Sequence, residues 1–215
     1  MKSLAIALSF ALVSLAAASR AEAQMLGSKG DAIVGAERLF GIRGEHLEID
    51  QPAPLDDTEI DATTISLGFA DPLTPYNLPR VTFDYMIIDK LSIGGTLAFA
   101  SRDADIEGPA DPATQTDFAL GPRVGFLHMF GRVLGIWPRA GLVYHSQSME
   151  DVYDASTFGI SLECMFPIVL VQHFGIIAGF AFDQALTGNL DPDDGPDQDL
   201  SYRSIGLQVG IFGWL

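Results

Sequence analysis

Residues 80–100 read RVTFDYMIIDKLSIGGTLAFA, and large apolar or aromatic side chains occupy alternate positions in both halves of this stretch. These positions run from Val81 to Ile87 and again from Leu91 to Phe99, opposite a face that is mostly small or polar. Alternation with a period of two is the signature of a β-strand. Because Asp89-Lys90 lies between the two runs and suits a tight turn, the stretch is predicted to form a β-hairpin with one apolar face.

The same alternation continues through the rest of the chain, in segments of about ten residues such as transmembrane barrels use. Counted from Ile60, it predicts eight strands, each with large apolar side chains on one face and small or polar side chains on the other. Small residues and a few paired charges suit the crowded inside of a narrow barrel, whereas the apolar face suits lipid. The sequence therefore predicts an all-β fold, a closed antiparallel transmembrane β-barrel over residues 60–215.

Two parts of the chain leave alternatives open. Residues 24–59 are predicted to be either an N-terminal extension or extra strands, which would bring the total to ten. Within them Ala32–Phe40 resembles a strand, but Gln51–Asp57 contains two prolines. Met165–Phe182 is almost continuously apolar and suggests a membrane helix, yet Pro167 and two glycines make it a poor one. It divides more naturally into two strands and a turn.

The predicted connections alternate between tight turns and long loops. The long ones fall at Asp71–Pro79, Arg102–Thr116, Gln147–Ser156 and Leu186–Leu200, and the last three are rich in acidic residues. Outer-membrane barrels have short periplasmic turns and longer extracellular loops. With the N-terminus in the periplasm, this order would place every acidic loop outside the cell.

Residues 1–23 have the features of a cleavable signal peptide. Lys2 precedes an apolar run from Leu4 to Ala18, which is shorter than the roughly 20 residues of a membrane-spanning helix. Ala21-Glu22-Ala23 fits the small-residue rule for cleavage. The segment is therefore predicted to direct export and to be removed.

The composition excludes several classes of function. The chain has 12 basic and 28 acidic residues, a formal net charge of −16, which argues against a nucleic acid as partner because phosphate binding requires basic patches. Cys164 is the only cysteine in the sequence, so no intrachain disulfide is expected. No motif for a phosphate, a nucleotide or a metal cluster is present, and no cofactor is predicted.

Charged side chains on the predicted inner face form the first candidate site. Because buried charges are tolerated when they are paired, such groups would form a mutual network that fills the lumen. The predicted network comprises Arg80, Asp84, Asp117, Arg123, Arg139, His145, Glu163 and Asp183, with Gln208 beside them. A narrow path for water or ions is the alternative.

The acidic segment near residue 195 is the second candidate. Its oxygen-rich side chains are of the kind that calcium prefers, and Gly195 permits a sharp turn, although the spacing matches no EF-hand. The candidate ligands are Asp191, Asp193, Asp194, Asp197 and Asp199. A simple solvated loop is the alternative to a divalent-cation site that bridges to lipopolysaccharide.

The N-terminal signal, the PRVTFDY stretch at residues 79–85, the alternating strands and the apolar last strand together resemble the small outer-membrane β-barrel proteins of Gram-negative bacteria. The resemblance covers about residues 60–215. It implies an outer-membrane location, contact with lipid and lipopolysaccharide, and insertion by the barrel-assembly machinery. Such barrels typically end in an outward-facing aromatic residue, whereas here Trp214 is penultimate and Leu215 is last.

Some barrels of this kind are lipid A-modifying acyl hydrolases or transferases that use a histidine and a serine, which draws attention to His145, Ser146 and Ser148. In the deacylase pattern the two residues are two positions apart on one strand face, but Ser148 is three positions from His145. Glu150 could orient a base, yet no catalytic residue is assigned. The prediction is a non-enzymatic barrel with acidic extracellular loops in a structural or surface-interaction role. A lipid-modifying enzyme and a narrow, porin-like passive channel are the alternatives.

Overall fold

The computed structural model describes residues 25–51, 57–67, 78–104, 113–150, 152–193 and 195–215. The predicted signal peptide, residues 1–23, lies outside these ranges. Within them the chain forms ten β-strands. In chain order these are β1 (Ala32–Asp50), β2 (Thr58–Leu67), β3 (Arg80–Ile88), β4 (Leu91–Ala104), β5 (Ala113–Phe126), β6 (His128–Met129), β7 (Gly135–Met149), β8 (Tyr153–Val171), β9 (Phe174–Pro192) and β10 (Gln198–Trp214).

Eight of these strands are joined edge to edge into a closed ring. Their order around the ring is β1, β3, β4, β5, β7, β8, β9 and β10, and β10 pairs with β1 to close it. The closing pair is antiparallel and extends from Ile33 opposite Trp214 to Asp50 opposite Asp199. This confirms the predicted closed antiparallel barrel of eight strands, in which the ring leaves no open sheet edge along the closing pair.

One member of the ring differs from the prediction. β1, from the segment whose role the sequence left open, lies in the ring, so the barrel begins at Ala32 rather than at Ile60. β2, which was expected to start the barrel, pairs with β1 alone among the described strands. β1 is long enough to hold both neighbours, because Ala32–Glu37 pairs with β3 and Phe40–Ile49 pairs with β2.

Side chains of the ring alternate between an apolar exterior and a largely polar interior. In β3, Phe83 is 52% exposed and its neighbour Asp84 is 1% exposed. In β10, Leu207 is 48% exposed and Gln208 is 1% exposed. The predicted assignment of alternate residues to the inner and outer faces of these strands is therefore confirmed, and the large apolar side chains point outward.

The barrel has two ends, which we call the turn end and the loop end. The turn end carries the β3–β4, β5–β7 and β8–β9 connections and Leu215. Lys90 and His173 in two of these connections have φ angles of 70° and 64°, the left-handed backbone that tight hairpin turns use. The loop end carries the β1–β2, β4–β5, β7–β8 and β9–β10 connections. Most of the predicted loop at Asp71–Pro79 lies outside the described residues.

Three loop-end connections are shorter than predicted. The loop expected at Arg102–Thr116 shrinks because β4 continues to Ala104 and β5 starts at Ala113. The loops expected at Gln147–Ser156 and Leu186–Leu200 shrink because β7 continues to Met149, β8 starts at Tyr153, and β9 and β10 extend to Pro192 and from Gln198. Strand pairing requires backbone groups and not an apolar face, so a hairpin can project beyond the apolar band with polar side chains on both faces. Such a strand lacks the alternation by which the sequence was interpreted.

The inside of the barrel at the turn end is filled by apolar side chains. We call this cluster the apolar plug; its buried members are Leu26, Ile33, Met86, Leu127, Trp137, Met165, Ile177, Phe212 and Trp214. The segment before β1 holds Leu26 in place, because the Lys90 amide donates to the Gly27 carbonyl at 2.9 Å. The Asp31 carboxylate accepts a hydrogen bond of 2.9 Å from the Gly27 amide, which fixes the turn that leads into β1.

The apolar stretch Met165–Phe182 forms the end of β8, a turn at Gln172 and His173, and the start of β9. Its interpretation as a helix is therefore wrong. None of the described residues belongs to a helix long and apolar enough to cross a membrane.

Candidate functional site

A bulge in β1 turns Arg38 into the lumen beside Glu37, which already faces inward. Between Ala36 and Phe40 the register against β10 shifts, so that three residues of β1 lie opposite one residue of β10. Arg38, within the bulge, has a φ angle of 59°, which non-glycine residues seldom adopt. Regular alternation would place neighbours on opposite faces, but Glu37 and Arg38 are both buried, at 3% and 2% exposure.

Glu37 lies between two arginines from the opposite side of the barrel. Arg123 of β5 donates to both carboxylate oxygens of Glu37 at 3.0 Å. Arg139 of β7 donates to the same two oxygens at 2.6 and 3.0 Å. Arg123 also pairs with Asp84 of β3, through a hydrogen bond of 3.1 Å from its Nε. These contacts tie together four strands of the ring.

Asp183 of β9 is the centre of a second group of ion pairs. Arg38 and Arg43 of β1 each donate to its Oδ2 at 2.8 Å. Glu163 of β8 connects the two groups, since it lies 2.8 Å from Arg139 and 3.9 Å from Arg38. The charges thus form one continuous network across the lumen, which we call the lumen network.

All nine side chains that were placed on the inner face from the sequence are buried: Arg80, Asp84, Asp117, Arg123, Arg139, His145, Glu163, Asp183 and Gln208. Gln208 joins the lumen network through a hydrogen bond of 3.2 Å to Glu163. Asp117 stands apart and pairs with Arg102 at 3.1 Å. Arg80 is buried next to the network but forms no ion pair with any described residue.

The sequence interpretation missed the ionic residues of β1. Glu37, Arg38 and Arg43 are central to the lumen network, and Glu45 accepts a hydrogen bond of 2.7 Å from the buried Tyr202 hydroxyl. A weak signal was present, because Arg43 and Glu45 share one face of the strand while Phe40 and Ile42 share the other. The bulge separates this alternation from that of Ala32–Ala36, and the sequence therefore left open whether the segment is an extension or adds strands.

The geometry of the lumen network suits a structural role, in which ion pairs connect the strands of the barrel. Removing a charge from water costs several kcal/mol unless it is paired, so buried carboxylates and guanidinium groups persist only with good partners. Glu37, Asp84, Glu163 and Asp183 each lie within hydrogen-bond distance of at least one arginine. Glu163 and Arg139 face each other on the neighbouring strands β8 and β7. The other three carboxylates pair with arginines from strands that are not neighbours in the ring, and the network therefore cross-braces the barrel.

The acids between β9 and β10 do not form a metal site in the described residues. Of the five predicted ligands, Asp191, Asp193, Asp197 and Asp199 are described and Asp194 is not. The negative charge of Asp197 raises the pKa of Asp191, because a nearby like charge disfavours the ionised carboxylate. In the part of the chain that the structure describes, no three acidic, histidine or cysteine side chains are arranged to hold a metal ion.

His145 and its neighbouring serines point in opposite directions. His145 is 1% exposed and faces the lumen. The pleat of β7 places Ser146 and Ser148 on the other face, and Glu150 lies beyond the end of the strand. These serines are therefore not positioned beside the imidazole as a nucleophile would be.

No family model matches the chain, and no curated protein sequence matches it significantly. Solved structures do match. The outer-membrane protein AlkL, determined in lipid bilayers, aligns with a TM-score of 0.52 at 12% identity, covering 92% of this chain and 96% of AlkL. Neisserial surface protein A aligns with a TM-score of 0.48 at 12% identity, covering 86% of this chain and 99% of that one. The outer-membrane protease OmpT from Escherichia coli aligns with a TM-score of 0.42 at 6% identity, covering 89% and 98%.

At these identities the likeness concerns the fold. The alignment with AlkL and the closed ring of eight antiparallel strands lead to the same assignment. The chain has the fold of the small outer-membrane β-barrel proteins of Gram-negative bacteria.

Proposed function

We propose that this chain is a non-enzymatic barrel of the bacterial outer membrane, with a sealed lumen and loop-end hairpins that interact with components of the cell surface. The observation that carries the proposal is the filled interior. The apolar plug occupies the turn end, and the lumen network occupies the middle of the barrel.

The outer surface supports a position in a membrane. Phe99, Ile65 and Ile205 are 68%, 64% and 62% exposed, and large apolar side chains cover the outside of every strand of the ring. A soluble monomer rarely exposes so large an apolar surface, whereas lipid solvates it. Outer-membrane lipid and lipopolysaccharide are thus the proposed partners of the barrel wall, and residues 1–23 are the proposed export signal.

The interior argues against a porin-like channel. An eight-stranded barrel is only wide enough for its own side chains. Two bulky indole rings, those of Trp137 and Trp214, are 1% and 5% exposed in the apolar plug. Water would have to pass both this packed apolar layer and a layer of paired charges.

The last strand is proposed as the contact with the barrel-assembly machinery. Its outward side chains include Ile205, Leu207 and Ile211, and Leu215 continues on the exposed side at 51% exposure. Trp214 is buried in the apolar plug instead. The large apolar side chains that this strand presents outward are therefore aliphatic.

Recording from planar bilayers that contain the refolded protein tests the sealed lumen. We expect no conductance steps from the wild type, and none from a variant in which Trp137 and Trp214 are both replaced by glycine, because the lumen network still blocks the path. Steps from the wild type would support the passive channel and overturn this part of the proposal. A boiled and unboiled gel comparison of each sample verifies that the barrel is folded.

Mass spectrometry of lipid A from cells that express the protein tests the absence of enzymatic activity. We expect an unchanged mass spectrum. A mass change that disappears in His145→Ala would support the lipid-modifying acyl hydrolase or transferase instead.

Epitope tags test which end of the barrel faces the outside of the cell. An antibody should stain a tag within residues 195–197 on intact cells, and a tag at Gly131 only after the cells are permeabilised.

A further inference from the structure

Arg80 is a buried cation without a counter-charge of its own. It is 3% exposed, at the first position of β3. Its Nε and Nη2 groups have no hydrogen-bond acceptor in the described part of the chain. A guanidinium group stays protonated in proteins, and leaving its charge buried and unpaired is unfavourable. A negatively charged partner would therefore stabilise the buried guanidinium group of Arg80.

The nearest carboxylates are already engaged by other arginines. Asp183 and Glu163 both interact electrostatically with Arg80. Arg38 and Arg43, however, each donate to Asp183 at 2.8 Å, and Glu163 lies 2.8 Å from Arg139. The groups in and beside the lumen network are five arginines and four carboxylates, namely Arg38, Arg43, Arg80, Arg123 and Arg139 against Glu37, Asp84, Glu163 and Asp183.

The other buried carboxylates have partners elsewhere. Glu45 accepts hydrogen bonds from the hydroxyl groups of Tyr202 and Thr64, at 2.7 and 2.8 Å. Asp117 pairs with Arg102 at 3.1 Å. Arg80 is thus the arginine of this group that forms no ion pair with a described carboxylate, although the negative charge of Glu45 also acts on the neighbouring Arg43.

A small cavity lies beside Arg80, against the wall formed by β5 and β7. It measures about 10 Å³, which is room for about one water-sized particle. Its polar lining comes from Arg80, Thr96, Arg123, Arg139, Ser161 and Glu163. Gly121 and Gly141 complete the wall, and a Cβ atom at either position would come within 2.5 Å of a backbone oxygen.

We propose that this cavity holds one small inorganic anion, of the size of a halide, bound by the guanidinium group of Arg80 and the hydroxyl group of Thr96. The hydroxyl group of Ser161 also lines the cavity, but it already donates its hydrogen to Asp183, at 2.6 Å. Glu163 also lines the cavity, but Arg139 and Arg123 lie 2.8 and 3.5 Å from its carboxylate and offset its charge. A halide supplies the negative charge that a water molecule in the same place would lack.

Bromide is the direct probe, because its anomalous scattering separates it from water. Crystals of the refolded full barrel would be soaked in sodium bromide and measured at the bromine absorption edge. We expect one anomalous peak in hydrogen-bonding contact with Arg80 and Thr96, retained in Arg132→Met, whose arginine is exposed, and lost in Arg80→Met. A peak-free cavity in the wild type, whether filled by water or empty, would overturn the proposal.

A solution measurement covers the case in which Arg80→Met does not fold. Replacing chloride by gluconate at constant ionic strength should lower the unfolding temperature of the wild type by about 3 °C. In Thr96→Val, which keeps the shape of the side chain and removes the donor, the shift should be halved or lost. An identical shift in both proteins would contradict the site. The result is independent of the proposed function, since a sealed barrel without the anion would still give no conductance.

Discussion

Glu37 is the residue on which the lumen network depends most directly. It accepts two hydrogen bonds from each of Arg123 and Arg139, at 2.6–3.0 Å, and it lies on the lumen face of β1 in the regular alternation that starts at Ile33. Without its charge, two buried arginines would share the remaining carboxylates. Breaking a buried pair by neutralising one partner is usually far more costly than the pair itself is favourable.

Glu37→Gln is therefore expected to lower the free energy of unfolding by about 3–5 kcal/mol. Urea titration of the barrel refolded in lipid vesicles measures the change. Glu150→Gln is the matched control, since Glu150 is exposed beyond β7, and it should change the value by no more than about 0.5 kcal/mol. Equal effects of the two substitutions would mean that the lumen network contributes nothing to stability.

Gly94 is an inner-face position at which glycine is required for a steric reason. A Cβ atom on Gly94 would overlap the backbone oxygen of Phe83 and lie 2.6 Å from Asp84 Oδ1, so a side chain there forces the paired strands apart. Gly94→Ala is expected to destabilise the barrel by about 1–3 kcal/mol in the same titration. At Gly44 the nearest atom would be 3.9 Å away, and Gly44→Ala should instead stabilise by about 0.4–1 kcal/mol. A stable Gly94→Ala barrel would contradict the close approach of β3 and β4.

At the scale of the strand, the sequence could predict on which face of the sheet each side chain lies. Phe83 and Asp84, or Leu207 and Gln208, are assigned to opposite faces by position alone, because a pleated strand has no other choice. β1 escaped this reasoning, since its bulge places the adjacent Glu37 and Arg38 on one face. The sequence also could not predict which charged residues pair across the lumen, because alternation gives the face on which a residue lies and not its height along the barrel axis.

The assignment of the two faces of β10 can be tested directly. Leu207 is 48% exposed near the middle of the strand, so Leu207→Arg would place a charge in hydrocarbon and should destabilise the barrel by about 2–4 kcal/mol in lipid vesicles. Ser201 is exposed near the loop end of the same strand, and Ser201→Arg should cost about 0–1 kcal/mol. If the two costs were equal, or if both vanished, the exposed apolar face of β10 would not be the lipid face.

At the scale of the whole molecule, the layers of the interior follow from how the ring is closed. The first residues of β1 carry Ile33 into the apolar plug, and the next ones carry Glu37 and Arg38 into the lumen network. The same strand forms the seam with β10 along Ile33–Asp50. Closure and filling of the barrel thus both depend on β1, the strand whose place in the ring the sequence left open.

Deletion of residues 25–50 between the export signal and β2 separates this arrangement from a barrel counted from Ile60. In the observed ring the deletion leaves seven strands, removes the partner of β10 and opens the seam, so folding should fail. The measurement is gel migration of boiled and unboiled samples, which should differ for the full chain and coincide for the deletion variant. Deletion of residues 59–66, which pair only with β1 among the described strands, is the control and should preserve the difference. A folded barrel without residues 25–50 would show that β2 can replace β1 in the ring.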